Sequence, residues 1–233
     1  MPSSSILVLH GALGAAEQMR PIADALAPIG AVRALEFPGH GATPLGAREF
    51  SVPGFVAWLA AEVRADERPV VFGYSMGGYV ALALEAARPG TFAGIVTLGT
   101  KFAWTPAAAA RESARLDAAV IREKIPRFAA ALEARHARAG GWEPVLARTA
   151  ALLRQVGERP LLGPDALSRV TCPVTVAVGE QDDTVSSDEA REAAGWCADG
   201  LAEVLPGIGH PIERVPLPLV ESLVRQLLAR IAA

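Results

Sequence analysis

The segment Gly73-Tyr74-Ser75-Met76-Gly77-Gly78 sets a serine between glycines two residues away on either side, where an apolar run gives way to a helical pattern. Such a corner forces the serine into a tight turn that only small neighbours leave room for, and the hydroxyl then projects beyond the carboxyl end of the strand. A helix begins at the same corner, so the Met76 N–H faces outward and can stabilise a developing oxyanion. A serine hydroxyl needs a base to take its proton, and the base needs a group to orient it. Two later loops carry those residue types. Gly179-Glu180-Gln181-Asp182 follows one apolar run and brings a carboxylate, and Gly209-His210 follows another and brings an imidazole. His10-Gly11-Ala12-Leu13 follows the first apolar run and can lend a second N–H to an oxyanion. The chain order is Ser75, then Asp182, then His210, one of the orders in which nucleophile, acid and base occur in acyl-transfer sites.

These loops fall on one edge only if the runs before them are parallel strands. Ile6–His10, Ala31–Phe37, Pro69–Tyr74, Ala93–Gly99, Cys172–Val178 and Leu201–Leu205 are short, apolar and rich enough in β-branched residues to be buried strands. Glu17–Ala27, Val52–Arg64, Met76–Ala87 and Ser187–Cys197 have helical spacing, the last opened by the capping box Ser186-Ser187-Asp188-Glu189. Pro216–Ala232 closes the chain as a helix with Leu219, Leu223 and Leu227 in one stripe. Strands alternating with helices give an α/β fold, a parallel sheet covered on both faces. Phe102–Arg169 interrupts the alternation with helical patterns at Pro106–Ala119, Ile121–His136 and Trp142–Val156. The expected organisation is a core of residues 1–101 and 170–233 with a helical insert at 102–169. Part of that insert is expected to roof a pocket, with Trp104, Trp142 and Phe128 as candidates to line it.

Taken together, His10-Gly11, Phe37-Pro38-Gly39-His40-Gly41, Gly73–Gly78, Gly179–Asp182 and Gly209-His210 resemble the α/β-hydrolase superfamily over nearly the whole chain. The resemblance implies the α/β-hydrolase fold, with Ser75 as nucleophile, Asp182 as acid, His210 as base, oxyanion N–H groups at Ala12 and Met76, and the insert in the place of a cap. It selects Asp182 over the adjacent Asp183, because Gly-x-x-Asp resembles the acid turn of that family. Members usually carry an antiparallel hairpin before the strand that ends in His-Gly. Here about five residues precede it, so the expectation is a minimal, six-stranded, mostly parallel sheet. The reaction implied is ester hydrolysis through an acyl-enzyme, on a small-molecule substrate. Carbon–carbon bond hydrolysis and cofactor-free lyase chemistry share the machinery, and thioesters, lactones and amides fit it as well.

Composition narrows the alternatives. The chain has 233 residues, 51% of them hydrophobic, with 22 basic and 25 acidic side chains for a net charge of −3. A weakly acidic chain without a basic run is a poor nucleic-acid binder. Neither the two cysteines nor the four histidines have ligand spacing, so no metal and no cofactor is expected. No stretch approaches a membrane span, and Met1–Ser5 has no basic leader region, which makes a cytoplasmic protein the expectation. Gly11-Ala12-Leu13-Gly14 falls short of the Gly-x-Gly-x-x-Gly of dinucleotide-binding oxidoreductases. A non-catalytic receptor on the same fold would have no use for a complete serine–acid–histidine set. His10 and His40, in glycine-bordered loops, read as structural, and His136, between Arg135 and Arg138, reads as solvated.

Overall fold

The computed structural model describes residues 4–64 and 66–233; Met1–Ser3, part of the leader reading above, lie outside them, as does Ala65. Six strands form one sheet: β1 (Ser4–Leu9), β2 (Gly30–Leu35), β3 (Val70–Tyr74), β4 (Gly94–Leu98), β5 (Val174–Gly179) and β6 (Gly200–Leu205). Their order is β2-β1-β3-β4-β5-β6, and every neighbouring pair is parallel. The central strands are buried on both faces, which explains why they read as continuous apolar runs rather than as alternating ones.

Alternation along each strand sorts its side chains between two cores. Leu7, Leu9, Val71, Ile95, Val174, Val176 and Val178 pack with α2 (Val52–Glu62), α3 (Met76–Ala87) and α9 (Ser187–Trp196). Ile6, Val8, Val70, Phe72, Val96 and Leu98 pack on the other face with α1 (Arg20–Leu26) and α10 (Leu217–Ala232). The helices start where the sequence offers caps. Ser51 Oγ accepts the Gly54 N–H at the head of α2, and Ser186 Oγ accepts the Glu189 N–H at the head of α9.

Between β4 and β5 the described residues contain α4 (Pro106–Ala114), α5 (Ala118–Lys124), α6 (Pro126–His136), α7 (Trp142–Glu158) and the short α8 (Pro164–Leu167), and no strand. The patterns at Pro106–Ala119 and Ile121–His136 resolve into three helices rather than two. Asp117 caps α5 by accepting the Ala119 and Val120 N–H groups, and Pro126, which lacks an N–H, ends α5 and starts α6. Ile121, Ala129, Leu132, Trp142, Val145 and Leu146 form a small third core, and Leu13 from the loop after β1 belongs to it. Among the described residues no helix is long and apolar enough to cross a membrane.

Candidate active site

Ser75 joins β3 to α3 with φ +50° and ψ −115°, a conformation costing on the order of 1–3 kcal/mol that persists only where its surroundings enforce it. They do so from both sides. The Ser75 N–H donates to Leu98 O at 2.8 Å, and Ser75 O accepts from Thr100 Oγ1 at 2.9 Å and from the Gly78 N–H at 3.1 Å. The flanking glycines answer to close packing. A Cβ on Gly73 would stand 2.5 Å from the Gly78 nitrogen, and one on Gly77 would stand 2.6 Å from Leu9 O.

The turns after β5 and β6 are bound to each other. The Gln181 N–H donates to Ile208 O at 2.8 Å, and the Gly207 N–H donates to Glu180 Oε2 at 3.0 Å. This brings Asp182 to His210, with Nδ1 2.8 Å from Asp182 Oδ2. Asp182 Oδ1 accepts the N–H groups of Thr184 at 2.8 Å and Val185 at 2.9 Å, so the carboxylate is held as an acceptor and its side chain is only 1% exposed. An acceptor at Oδ2 puts the proton on Nδ1 and leaves Nε2 free to take another. Asp183 is different: its side chain is 75% exposed, and its nearest cation is Arg115 at 3.9 Å. Gly99, at φ +63°, allows the dyad to approach the end of β4, where a Cβ would meet Asp182 Oδ2 and His210 Nδ1 at 3.2 Å. Tyr74 supports the imidazole by donating its hydroxyl to His210 O at 3.0 Å.

Ser75, His210, Ala12 and Met76 all line one cavity of about 340 Å³. Among the described residues neither the Ala12 nor the Met76 N–H donates to a protein acceptor. Leu13, Val52, Tyr79, Trp104, Leu116, Phe128, Leu152, Leu153 and Val156 make the remaining walls largely apolar. Trp142 does not line it. That ring lies in the third core beneath the Arg122 guanidinium, 5.1 Å from its centroid. The cations around the cavity are paired: Lys101 with Glu189 at 3.4 Å, Arg115 with Glu112 at 3.3 Å, Arg135 with Glu213 at 3.6 Å. Among the described residues, no group of three or more His, Cys, Asp or Glu is placed to hold a metal ion.

The other three histidines are all fully buried, which corrects the reading of His136 as solvated. His10 Nδ1 donates to Gly11 O at 2.8 Å and its Nε2 accepts the Phe37 N–H at 3.1 Å. His40 stacks on Phe50 at 5.0 Å and lies 5.0 Å from the His10 ring. His136 Nδ1 accepts the Gly41 N–H at 3.0 Å. Burial holds all three neutral: it lowers His10 from 6.5 to about 4, His40 well below 6.5, and His136 in the same direction. In the unfolded chain these rings protonate near pH 6.5, so the stability carried by their neutral burial is complete above that pH and is lost as pH falls through their lowered folded values, about 4 for His10. For His10 alone, denaturant titrations at pH 7.5 and 4.5 should differ by about 2–3 kcal/mol. Equal stability at the two pH values would mean that these rings take up protons in the fold as readily as in the unfolded chain.

Sequence and structure comparisons give one consistent picture. The profile of the alpha/beta hydrolase family matches residues 6–222. The bifunctional biotin biosynthesis protein BioHC of Cellvibrio japonicus is 31% identical over 93 residues, 40% of this chain but only 18% of that protein's length. NosK from Streptomyces actuosus superposes with a TM-score of 0.84 at 22% identity, over 99% of this chain and 100% of that one. E-2-(acetamidomethylene)succinate hydrolase superposes with a TM-score of 0.77 at 19% identity, over 98% and 93% of the two chains. At these structural identities the likeness is one of fold.

Proposed function

We propose, from the premise that this chain belongs to the alpha/beta hydrolase family, that it is a serine hydrolase cleaving carboxylic esters of small acyl groups. The observation that carries this reading is the 2.8 Å contact between His210 Nδ1 and the buried Asp182, in the same cavity as a serine held in a strained strand-to-helix turn. In this reading His210 Nε2 takes the Ser75 proton as Oγ attacks the ester carbonyl. Asp182 keeps the imidazole in the Nδ1–H form and stabilises the imidazolium. The N–H groups of Ala12 and Met76 receive the tetrahedral oxyanion, and a single such donor lowers the barrier by about 2.7–4 kcal/mol. His210 then returns the proton to the leaving alkoxide, and water repeats the sequence on the acyl-enzyme.

Residues 102–169 act in this scheme as a cap, since Trp104, Leu116, Phe128, Leu152, Leu153 and Val156 supply one side of the cavity. Because the cations around it are paired, the cavity suits a neutral, apolar acyl group better than one carrying a carboxylate. The test is a panel of p-nitrophenyl esters, thioesters, lactones and diketones, assayed without added metal or nucleotide. Short neutral esters should turn over with a kcat/KM at least about tenfold above esters of dicarboxylic acids, the equivalent of ~1.4 kcal/mol. Turnover of the diketones alone would replace ester hydrolysis with carbon–carbon bond cleavage.

A further inference from the structure

The loop after β1 is tied to the insert as well as to the sheet. Leu13 has φ +59°, uncommon for a residue with a branched side chain, and that side chain is buried in the third core with Ile121, Leu132 and Trp142. Its carbonyl oxygen accepts two bonds from consecutive residues of α6: one from Arg135 Nη1 at 2.8 Å and one from His136 Nε2 at 3.0 Å. The second bond has a defined polarity. His136 Nδ1 accepts the Gly41 N–H, so the ring proton sits on Nε2 and donates to Leu13. Arg135 also faces Glu213, three residues after His210, at 3.6 Å. Two adjacent side chains of the insert therefore bridge the loop that contains Ala12, the loop that contains Gly41, and the segment that follows the base.

We propose that Arg135 and His136 are positioning residues for the oxyanion pair: by holding the Leu13 carbonyl they fix the Ala12–Leu13 turn, so that α6 must be seated for the Ala12 N–H to meet the developing charge. This rests on the reading of Ala12 as an oxyanion donor. The geometry gives the insert a second task beyond walling the cavity. An N–H aimed at the oxyanion contributes only while its direction is held, and a displacement of about 1 Å can cost roughly 100-fold in rate. Leu13, adjacent to Ala12 and locked in a left-handed turn, passes any tilt of α6 directly to that N–H. Ground-state substrate makes much less use of the same donor, so loss of the clamp acts on kcat rather than KM.

The experiment compares His136→Phe, which keeps a ring and removes both nitrogens, with His136→Gln, whose amide can accept from Gly41 and donate to Leu13. In His136→Phe, kcat on a good ester should fall about 10- to 100-fold with KM within about threefold of wild type, and affinity for a boronic-acid transition-state analogue should fall in parallel. His136→Gln should recover most of that loss. Amide hydrogen exchange over residues 11–16 should quicken about tenfold in His136→Phe and stay near wild type in His136→Gln. Arg135→Met repeats the measurement should His136→Phe fail to fold. A folded His136→Phe chain with wild-type kcat, or with unchanged exchange at residues 11–16, overturns the proposal; so does a drop in melting temperature with no change in analogue affinity. Labelling of wild-type Ser75 by a fluorophosphonate tests the hydrolase reading separately, because the exchange measurement needs no turnover.

Discussion

Turnover by a Ser75→Ala chain should fall by at least about three decades on every ester the wild type cleaves, with its melting temperature nearly unchanged. The hydroxyl is the only group removed. Alanine keeps the Cβ, and the backbone bonds from Ser75 N–H to Leu98 and from Thr100 to Ser75 O do not involve the side chain. The φ +50° turn and its glycine packing therefore survive the substitution. What remains in the cavity is the His210–Asp182 dyad and the two free N–H groups, which can still bind and polarise an ester but have no nucleophile to offer it. The comparison is made by burst and steady-state kinetics on one chromogenic ester, with circular dichroism as the folding control. Retention of more than a few per cent of the wild-type rate would remove Ser75 from the mechanism.

Adjacent carboxylates give the second large effect. Asp182→Asn should lower kcat by on the order of 10⁴, about 5 kcal/mol of barrier, whereas Asp183→Asn should stay within about twofold of wild type. In the first variant the amide can still receive the Thr184 and Val185 N–H groups through its oxygen, but it turns an NH₂ toward His210 Nδ1. The imidazole answers by moving its proton to Nε2, the atom that the proposed mechanism needs as an acceptor for the Ser75 proton, and offers a donor there instead. Asp183 has only an exposed partner, Arg115 at 3.9 Å, and pairs of that kind contribute little. A loss of several decades on Asp183→Asn with Asp182→Asn near wild type would reverse the assignment.

The candidate site residues were legible because each sits at a junction between two kinds of pattern. Ser75 stands where an apolar run meets a helix, and the loops of Asp182 and His210 each follow an apolar run; a parallel sheet sends all such junctions to one edge. The division between Asp182 and Asp183 needed more, since it is set by backbone N–H groups that follow the turn. Helix ends inside the insert were blurred for the opposite reason. Periodicity ran on through Ile121–His136, and the capping by Asp117 and the break at Pro126 were the finer signals. His136 was misread because its neighbours in sequence are charged. Its burial comes from Leu13 and Gly41, far away along the chain, although Ala129, Leu132 and His136 at spacings of three and four already marked one inward stripe.

The strand order has a consequence for how the molecule is made. The adjacent strands β2-β1-β3-β4 are all encoded before the insert, and β5 and β6 after it. During synthesis the first four strands can pair while the remainder is still being added, at roughly 5–20 residues per second. The strained turn at Ser75 is braced by Leu98 and Thr100, both already translated with that half. Asp182 and His210 emerge several seconds later, after α6, whose Arg135 and His136 bond to Leu13 O. A nascent chain can thus carry the finished Ser75 turn for some time before Asp182 and His210 are present to meet it, so the candidate site is completed well after the first four strands can pair.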